Sequence, residues 1–437
     1  MAIIRIRPTA KQSEAWKALE EYNKVFFGGG AGGGKSWWLC ETRLLKCYKY
    51  PGYKTFIGRE ELKRLMASTY ITWCKVCKFH GVPSSDWKLN GQYNYIEFFN
   101  GSRIDLLDLK YLPSDPLYER FGSLEYTDGA IEESGEIHFG AFDVLKSRIG
   151  RHMNAELNIN PTLALTGNPK KNWTYSNFYL PFKNGTLPSD TKFIQALYND
   201  NPFTAASYKK QLSDITDKST KERLMYGNWD YESDPDTMIS YDSINDLFSN
   251  DFVTGGKRRI VADIARYGSD RALLTVWDGM ILISYLAFDI SSMVEIHNAI
   301  TALRVKYSVQ TSDILIDEDG IGGGVVDHLR CKGFLNNGKP TNPSYHNLKS
   351  ENGYKLAEFI GKIWVKCDLP GIEIEMIKEE LCFLKTYNSD KDGKLRILPK
   401  EKIKEHIGRS PDWLDVFIMR MFFETTAKRE SHQTWHA

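Results

Sequence analysis

Apolar and polar positions divide the first half of the chain into short buried runs and stretches with helical spacing. An amphipathic helix runs through Trp16 and Leu19, and the apolar run Val25-Phe26-Phe27 follows it. That run ends in glycines, after which Trp37, Trp38 and Leu39 open a helical segment over about 35–48. Residues 53–59 read as a strand, and about 60–79 as a helix. Segments 93–99 and 102–107 flank Asn100-Gly101, which predicts a hairpin with a type I′ turn and positive φ at both central residues. Strand-like segments follow within 124–134 and 161–169, each ending in polar residues. Residues 170–235 are aromatic and polar, with turn signals at Asp200-Asn201-Pro202 and Gly227-Asn228-Trp229.

Apolar periodicity fades over 230–250, around Ser233-Asp234-Pro235-Asp236, and it returns sharply at Arg258. This predicts two domains, 1–232 and 253–437, joined by a linker over 233–252. The second domain opens with a strand over 258–265 bearing an inward-looking Asp263. A turn at 268–270 leads to strands over 271–278 and 280–288, with Asp278-Gly279 as the hairpin turn. A helix over about 291–306 follows, then a strand over 313–317 that ends in Asp317, and a glycine-rich turn into another helix. Near the end, Ser410 is the expected cap of a helix with Pro411 in its first turn. Asp412 and Asp415 share one face of it.

At 437 residues the chain has room for two domains. With 42% hydrophobic and 26% charged residues it has a soluble globular composition. A net charge of +1 excludes a bulk basic signature, so any nucleic-acid surface must be a local patch. The N-terminus lacks a signal-peptide core and no apolar run spans a bilayer, which leads us to expect a cytosolic protein with no membrane partner. Seven scattered cysteines argue against a disulfide framework. Cys74, Cys77 and His80 lack the second ligand cluster of a structural zinc site, and their spacing also fits one helix face.

The chemistry begins at the first glycine run. Gly29, Gly30, Ala31, Gly32, Gly33, Gly34, Lys35 and Ser36 satisfy the phosphate-loop pattern between a strand and a helix. Glycines let successive N–H groups face a phosphate, and the helix N-terminus adds partial positive charge. Lys35 would reach the β- and γ-phosphates, and the Ser36 hydroxyl would bind Mg²⁺. Gln12 suits either an adenine edge or a solvated helix face. Glu132 and Glu133 close a strand-like segment and could divide metal holding from activation of the attacking water; the alternative is a charged helix start. Arg120, Arg148 and Arg151 are candidates for stabilising transferred phosphoryl charge. Thr166 and Asn168 fall at a strand's carboxyl end, where open α/β sheets bind nucleotides. In the second half, carboxylates on separate elements are what a two-metal phosphodiesterase site requires.

Taken together, these motifs resemble the large terminase subunit of tailed double-stranded DNA phages, along nearly all of the chain. The resemblance rests on Gln12, the 29–36 loop, 129–133, 166–169, 200–203 and 227–229, and in the second half on 263–268, 317–327 and 410–415. It implies an α/β chain with an N-terminal ASCE-type P-loop ATPase, built on a mostly parallel sheet, and a C-terminal ribonuclease H-like nuclease. It implies Gln12 at the adenine, Lys35 and Ser36 on phosphate and Mg²⁺, Glu132 near the metal, and Glu133 as the catalytic glutamate. Thr166 or Asn168 would belong to the coupling motif, and Arg120 resembles a finger acting in trans. Asp263, Asp317 and Asp415 match the nuclease carboxylates, with Asp412 as a fourth ligand.

The implied cofactors are ATP with Mg²⁺, and two Mg²⁺ or Mn²⁺ ions in the nuclease. The implied partners are double-stranded DNA, the portal and procapsid, and the small terminase subunit. The chain would be a monomer in solution and a ring on the portal, working in the host cytoplasm and absent from the mature virion. Three departures stand out: Glu132 occupies a position more often Asp, the polar Thr127-Asp128-Gly129 interrupts the strand before it, and the glycine loop has no internal arginine, which leaves Arg59 and Arg148 as candidates for that role. An ATP-dependent nuclease-helicase and a nucleotide-gated DNA-binding protein are the rival readings.

Overall fold

In the computed structural model, eight strands from the first half join in one sheet: β1 (Lys24–Gly29), β2 (Lys54–Arg59), β3 (Trp87–Asn90), β4 (Tyr95–Phe98), β5 (Arg103–Asp108), β6 (Gly129–Ile131), β7 (Leu163–Thr166) and β8 (Thr191–Ala196). The structure describes residues 6–231, 236–264, 271–289, 292–319, 322–387 and 393–425. The strand order is β3-β4-β5-β2-β6-β7-β1-β8. All pairs from β5 through β8 are parallel, and only the β3–β4–β5 hairpins are antiparallel. β7 lies between β1 and β6, which is the ASCE arrangement of a P-loop sheet. Because β1, β6 and β7 are parallel, their carboxyl ends share one edge. Val25, Phe26 and Phe27 are fully buried, as expected for a strand covered on both faces.

The polar interruption before β6 has a structural cause. Asp128 is fully buried, and Arg43 and Lys46 of the helix Lys35–Lys49 pair with it. Arg43 Nη2 also donates to Gly129 O at 2.8 Å, which pins the start of β6. The Asn100-Gly101 hairpin forms, but it is not the expected type I′ turn. Gly101 takes φ 80°, whereas Asn100 is not among the residues with positive φ. The Asn100 amide donates to Cys47 O at 2.8 Å and its Oδ1 accepts from Ser102 N at 3.1 Å, so side-chain bonds hold the turn. Asp278-Gly279 behaves alike, with only Gly279 at positive φ. His80 pairs with Glu41 at 2.7 Å and Cys77 is buried in the core.

The chain divides into two compact units, Met1–Glu232 and Ser233–Ala437. Part of the stretch expected as linker forms the helix Tyr241–Asp246, and Ile239, Ile244 and Leu247 are buried in the core of the second unit. The second sheet has six strands: β9 (Arg258–Asp263), β10 (Ala272–Asp278), β11 (Ile281–Phe288), β12 (Ile314–Asp317), β13 (Lys332–Phe334) and β14 (Trp364–Val365), in the order β13-β12-β9-β10-β11-β14. β9, β10 and β11 form an antiparallel meander, and β12 and β13 run parallel to β9. That is the ribonuclease H-like order. It brings the end of β9, with Asp263, beside the end of β12, with Asp317. The turn at 268–270, residues 265–268 of the motif after Asp263, and Ser233-Asp234-Pro235 lie outside the described residues.

The late helix spans Asp412–Arg420 and packs against β9 and β10. Its N-cap is Pro411 rather than the expected Ser410, and no side chain of its own segment caps it. Glu380 of the helix Gly371–Leu381 does so instead, accepting from Leu414 N at 3.1 Å. No helix among the described residues is long and apolar enough to cross a membrane.

Candidate functional site

Each of the strands β1, β6 and β7 delivers part of one cluster. β1 runs into the glycine loop, and Gly34 caps the helix Lys35–Lys49 in the left-handed conformation, at φ 78°. A Cβ on Gly34 would come within 2.8 Å of Gln12 Nε2, the end of a side chain that can shift, so it is the left-handed φ that calls for glycine. Gln12, on the helix Ala10–Glu21, is buried and fully engaged. Its Oε1 accepts from Thr9 N at 2.9 Å in a capping box, and its Nε2 donates to Gly34 O at 3.0 Å. The amide thus supports the loop.

Lys35 is buried, with Nζ 3.3 Å from Gly29 O and 3.1 Å from Asn168 Oδ1, and it also donates to Gly30 O. Burial lowers its pKa to about 8, against the opposing pull of Glu133 and Glu132. Asn168 lies just past β7, and its Nδ2 donates to Glu133 Oε2 at 3.4 Å. One side chain therefore touches both the loop lysine and the glutamate. Glu133 holds φ 49°, a left-handed backbone that is uncommon outside glycine. The Thr166 carbonyl accepts from Ser134 Oγ at 2.9 Å, while Thr166 Oγ1 is buried without a hydrogen-bond partner.

Glu132 is buried, which pushes its pKa up to about 7; a hydrogen bond from Ser36 and the charge of Arg59 pull the other way. Its Oε2 has no hydrogen-bond partner, and Arg59 Nη1 lies 4.0 Å from it. A buried carboxylate oxygen without a donor, beside a loop serine, fits the donor set of a hard divalent cation. The glycine loop is also held from outside. Asn201 Nδ2 and Thr204 Oγ1 donate to Gly32 O at 2.8 and 3.1 Å, and Ala31 N donates to Leu224 O at 2.7 Å. From the sequence, Asp200-Asn201-Pro202 is a turn signal within a segment that carries the resemblance, and its clamp on Gly32 is found in the structure alone.

The arginines lie further out. Arg120 donates to Asp115 Oδ2 and to Lys110 O, both at 2.6 Å, and lies over Phe121 at 4.5 Å. Arg148 is held by Gly122 O and Ser147 Oγ, and Arg151 N donates to Tyr126 O. Arg59, with Glu132 and Glu136 as neighbours, is the candidate nearest the acid pair.

The second unit gathers its own carboxylates. Asp263 ends β9, Asp317 ends β12, and Asp412 and Asp415 open the late helix. Burial pushes the Asp263 pKa well above the usual range, and Asp415, Asp412 and Asp317 push the same way against Lys400. Burial also raises Asp412, to about 6. For Asp415, burial is outweighed by Lys349 and Lys400, which hold it down at about 2. Lys349 Nζ is 2.6 Å from Asp415 Oδ1, and Lys400 Nζ is 2.7 Å from Asp415 Oδ2 and 3.9 Å from Asp263 Oδ2. Asn336 Nδ2 reaches Asp317 Oδ1 at 3.3 Å and Asp319 Oδ2 at 2.8 Å. The oxygen donors suit Mg²⁺ or Mn²⁺. The spacing gives a lysine the bridging position, and among the described residues no group of three or more His, Cys, Asp or Glu is arranged to hold one ion. No local pattern in the sequence marks Lys349, Lys400 or Asn336.

No curated protein matches the chain. Among solved structures it is similar to the large terminase from a thermophilic bacteriophage in complex with ADP, at 10% identity and TM-score 0.43, covering 95% of this chain and 100% of that one. A second crystal form of that phage's large terminase gives 10% identity and TM-score 0.44 with the same coverage. The nuclease domain of the large terminase subunit gp2 of bacterial virus Sf6 gives 16% identity and TM-score 0.38, over 42% of this chain and 98% of that one. Residues 21–227 match the family model described as phage terminase large subunit, so this segment, a little under half of the chain, is similar to that family.

Proposed function

We propose that this chain is a two-activity DNA-packaging enzyme, in which ATP hydrolysis in the first unit drives double-stranded DNA into a procapsid and the second unit cuts the concatemer. The observation that supports it most is the Lys35–Asn168–Glu133 chain of contacts at the carboxyl edge of the first sheet. It joins a phosphate-binding lysine, a polar group at a strand end and a candidate for orienting the attacking water.

In that reading the loop amides and Lys35 hold the β- and γ-phosphates of ATP, and Gln12 keeps the loop in shape through Gly34. Glu133 accepts the proton of the attacking water or orients it, and Asn168 sets its direction. Ser36 and Glu132 would hold the Mg²⁺ that neutralises phosphate charge. Arg120 of a neighbouring copy would act in trans on the developing charge, after release from Asp115.

In the second unit, Asp263, Asp317 and Asp415, with Asp412, would hold one or two divalent ions, which supply positive charge at the attacking and leaving oxygens of the phosphodiester. These side chains gather at the ends of β9 and β12 and the start of the late helix, and Lys349 and Lys400 pair with the ionised Asp415. DNA would be bound through its phosphates, with strong salt dependence. The partners of such an enzyme are the portal of a procapsid and a small terminase subunit, and its working form is a ring.

The test separates the halves. Lys35→Ala should abolish ATP hydrolysis and leave Mn²⁺-dependent plasmid cleavage intact, and Asp263→Ala should do the reverse. Loss of both activities from either change would refute a two-site enzyme. Strand unwinding without a portal would favour the helicase reading.

A further inference from the structure

We propose that Arg223 is a positioning residue for ATP hydrolysis, acting through Asn168; this rests on the ATPase reading above. The helix Lys218–Leu224 ends against the site at two adjacent residues. Arg223 Nε donates to Pro169 O at 2.7 Å, and the Leu224 carbonyl accepts from Ala31 N at 2.7 Å. Pro169 directly follows Asn168, the side chain that touches both Lys35 and Glu133. Ala31 belongs to the glycine loop. Two consecutive residues of one helix therefore hold the two walls of the nucleotide site, one through a side chain and one through a carbonyl.

The helix is itself anchored. Asp217 caps it by accepting from Thr220 N at 2.7 Å, and Lys221 Nζ donates to Ser213 O at 2.7 Å. Beyond it, Glu222 accepts from Asn228 N and Nδ2 through its carbonyl and carboxylate, at 2.9 and 2.8 Å, which fixes the turn after the helix. Arg223 is half-buried, with its guanidinium 5.5 Å from the Tyr231 ring. Its Nε donor is spent on a carbonyl in the loop after β7. Pro169 brings no N–H to that stretch, so the backbone around Asn168 has one fewer hydrogen bond to hold it, and Arg223 supplies an external one.

A displaced Asn168 would leave phosphate binding by the loop intact while misdirecting Glu133. Small misplacements of a catalytic group cost on the order of a hundredfold in rate. The experiment uses the full chain, with ATP hydrolysis measured with and without duplex DNA, and fluorescent ADP binding as a separate readout. Arg223→Ala should lower kcat by about 10- to 100-fold and leave the ADP Kd within about threefold. Arg223→Lys, which can still donate to Pro169 O, should recover a large part of the loss. Asn168→Ala combined with Arg223→Ala should be no slower than Asn168→Ala alone, because both remove the same alignment.

Additive losses in the double variant, an unchanged kcat in Arg223→Ala, or a loss confined to ADP binding would each overturn the proposal. If Arg223→Ala does not fold, the lysine variant decides: kcat lowered together with ADP affinity refutes the role. Failure of the underlying reading looks different, because the wild-type chain would then hydrolyse no ATP or Lys35→Ala would hydrolyse it normally.

Discussion

Asp128→Asn removes the negative charge from a buried cluster that also holds two cations. Asp128 and Arg43 are both 0% exposed. Asp128 accepts from Thr55 Oγ1 at 2.8 Å, from Tyr53 Oη, and from Arg43 Nη1 at 3.5 Å, with Lys46 Nζ on the same oxygen as Arg43. Burial alone would raise the Asp128 pKa; Arg43 and Lys46 outweigh it and bring it below the usual value. Asparagine keeps the shape and one acceptor, but it leaves Arg43 and Lys46 without a counter-charge. Breaking a buried pair in this way costs about 3–5 kcal/mol, against a total stability on the order of 5–15 kcal/mol for a domain. Urea unfolding of the full chain, followed by circular dichroism and tryptophan fluorescence, should show the transition of the first unit displaced by about 1 M or more. The sign with pH also follows. A carboxyl whose folded pKa is lowered stabilises above its unfolded value of 3.8, and that contribution is lost as pH falls through the lower folded value. The difference between wild type and variant should therefore be steady from neutral pH downward and shrink only under strong acid. A displacement below about 0.2 M urea, or a difference that begins to shrink near pH 6, would refute the assignment of Asp128 as the buried counter-ion.

Lys35 gives a second dependence on pH. Its pKa of about 8 means that nucleotide phosphates, which need the ammonium, should bind progressively more weakly above pH 8. Calorimetry at pH 9 in buffers of different ionisation enthalpy should record uptake of about one proton per nucleotide; a flat Kd between pH 7 and 9 with no uptake would reject it. Gly34→Ala meets both a left-handed φ of 78° and Gln12 Nε2 at 2.8 Å. It should cost about 1–2 kcal/mol and weaken nucleotide binding, and wild-type affinity in that variant would show that the loop does not need the Gly34 geometry.

Much of this was legible because the relevant signals are local. The glycine loop between β1 and its helix depends on contiguous residues, and so do the hairpins, although Asn100 met its turn through side-chain bonds rather than through φ. The strand order of both sheets was accessible only through resemblance to a family, since periodicity does not say which strands pair. What the sequence hid is non-local. Glu380 caps the late helix across 34 residues of chain, so Ser410, the local choice, is not needed. Lys349 and Lys400 reach Asp415 from two other helices, and nothing in their spacing marks them. Gln12 is the intermediate case: a glutamine three residues after Thr9 is a capping box by inspection, but its grip on Gly34 requires the tertiary fold.

The position of Glu132 is set by the main chain at the end of β6. Asp128 is buried just before β6, which begins at Gly129. Ile131 ends the strand, Glu132 N is held by Gly58 O at 2.9 Å, and the chain then turns through Glu133 in a left-handed backbone. The main chain at 132 is thus fixed by β2 on one side and by the Glu133 turn on the other. Only side-chain length remains to set where its carboxylate falls. With glutamate it reaches Ser36, while Arg59 stands 4.0 Å from its unpartnered oxygen. Aspartate on the same backbone would be one methylene shorter and would draw the charge back from Ser36. Glutamate is thus the length that brings the carboxylate to Ser36 from a main chain held by Gly58.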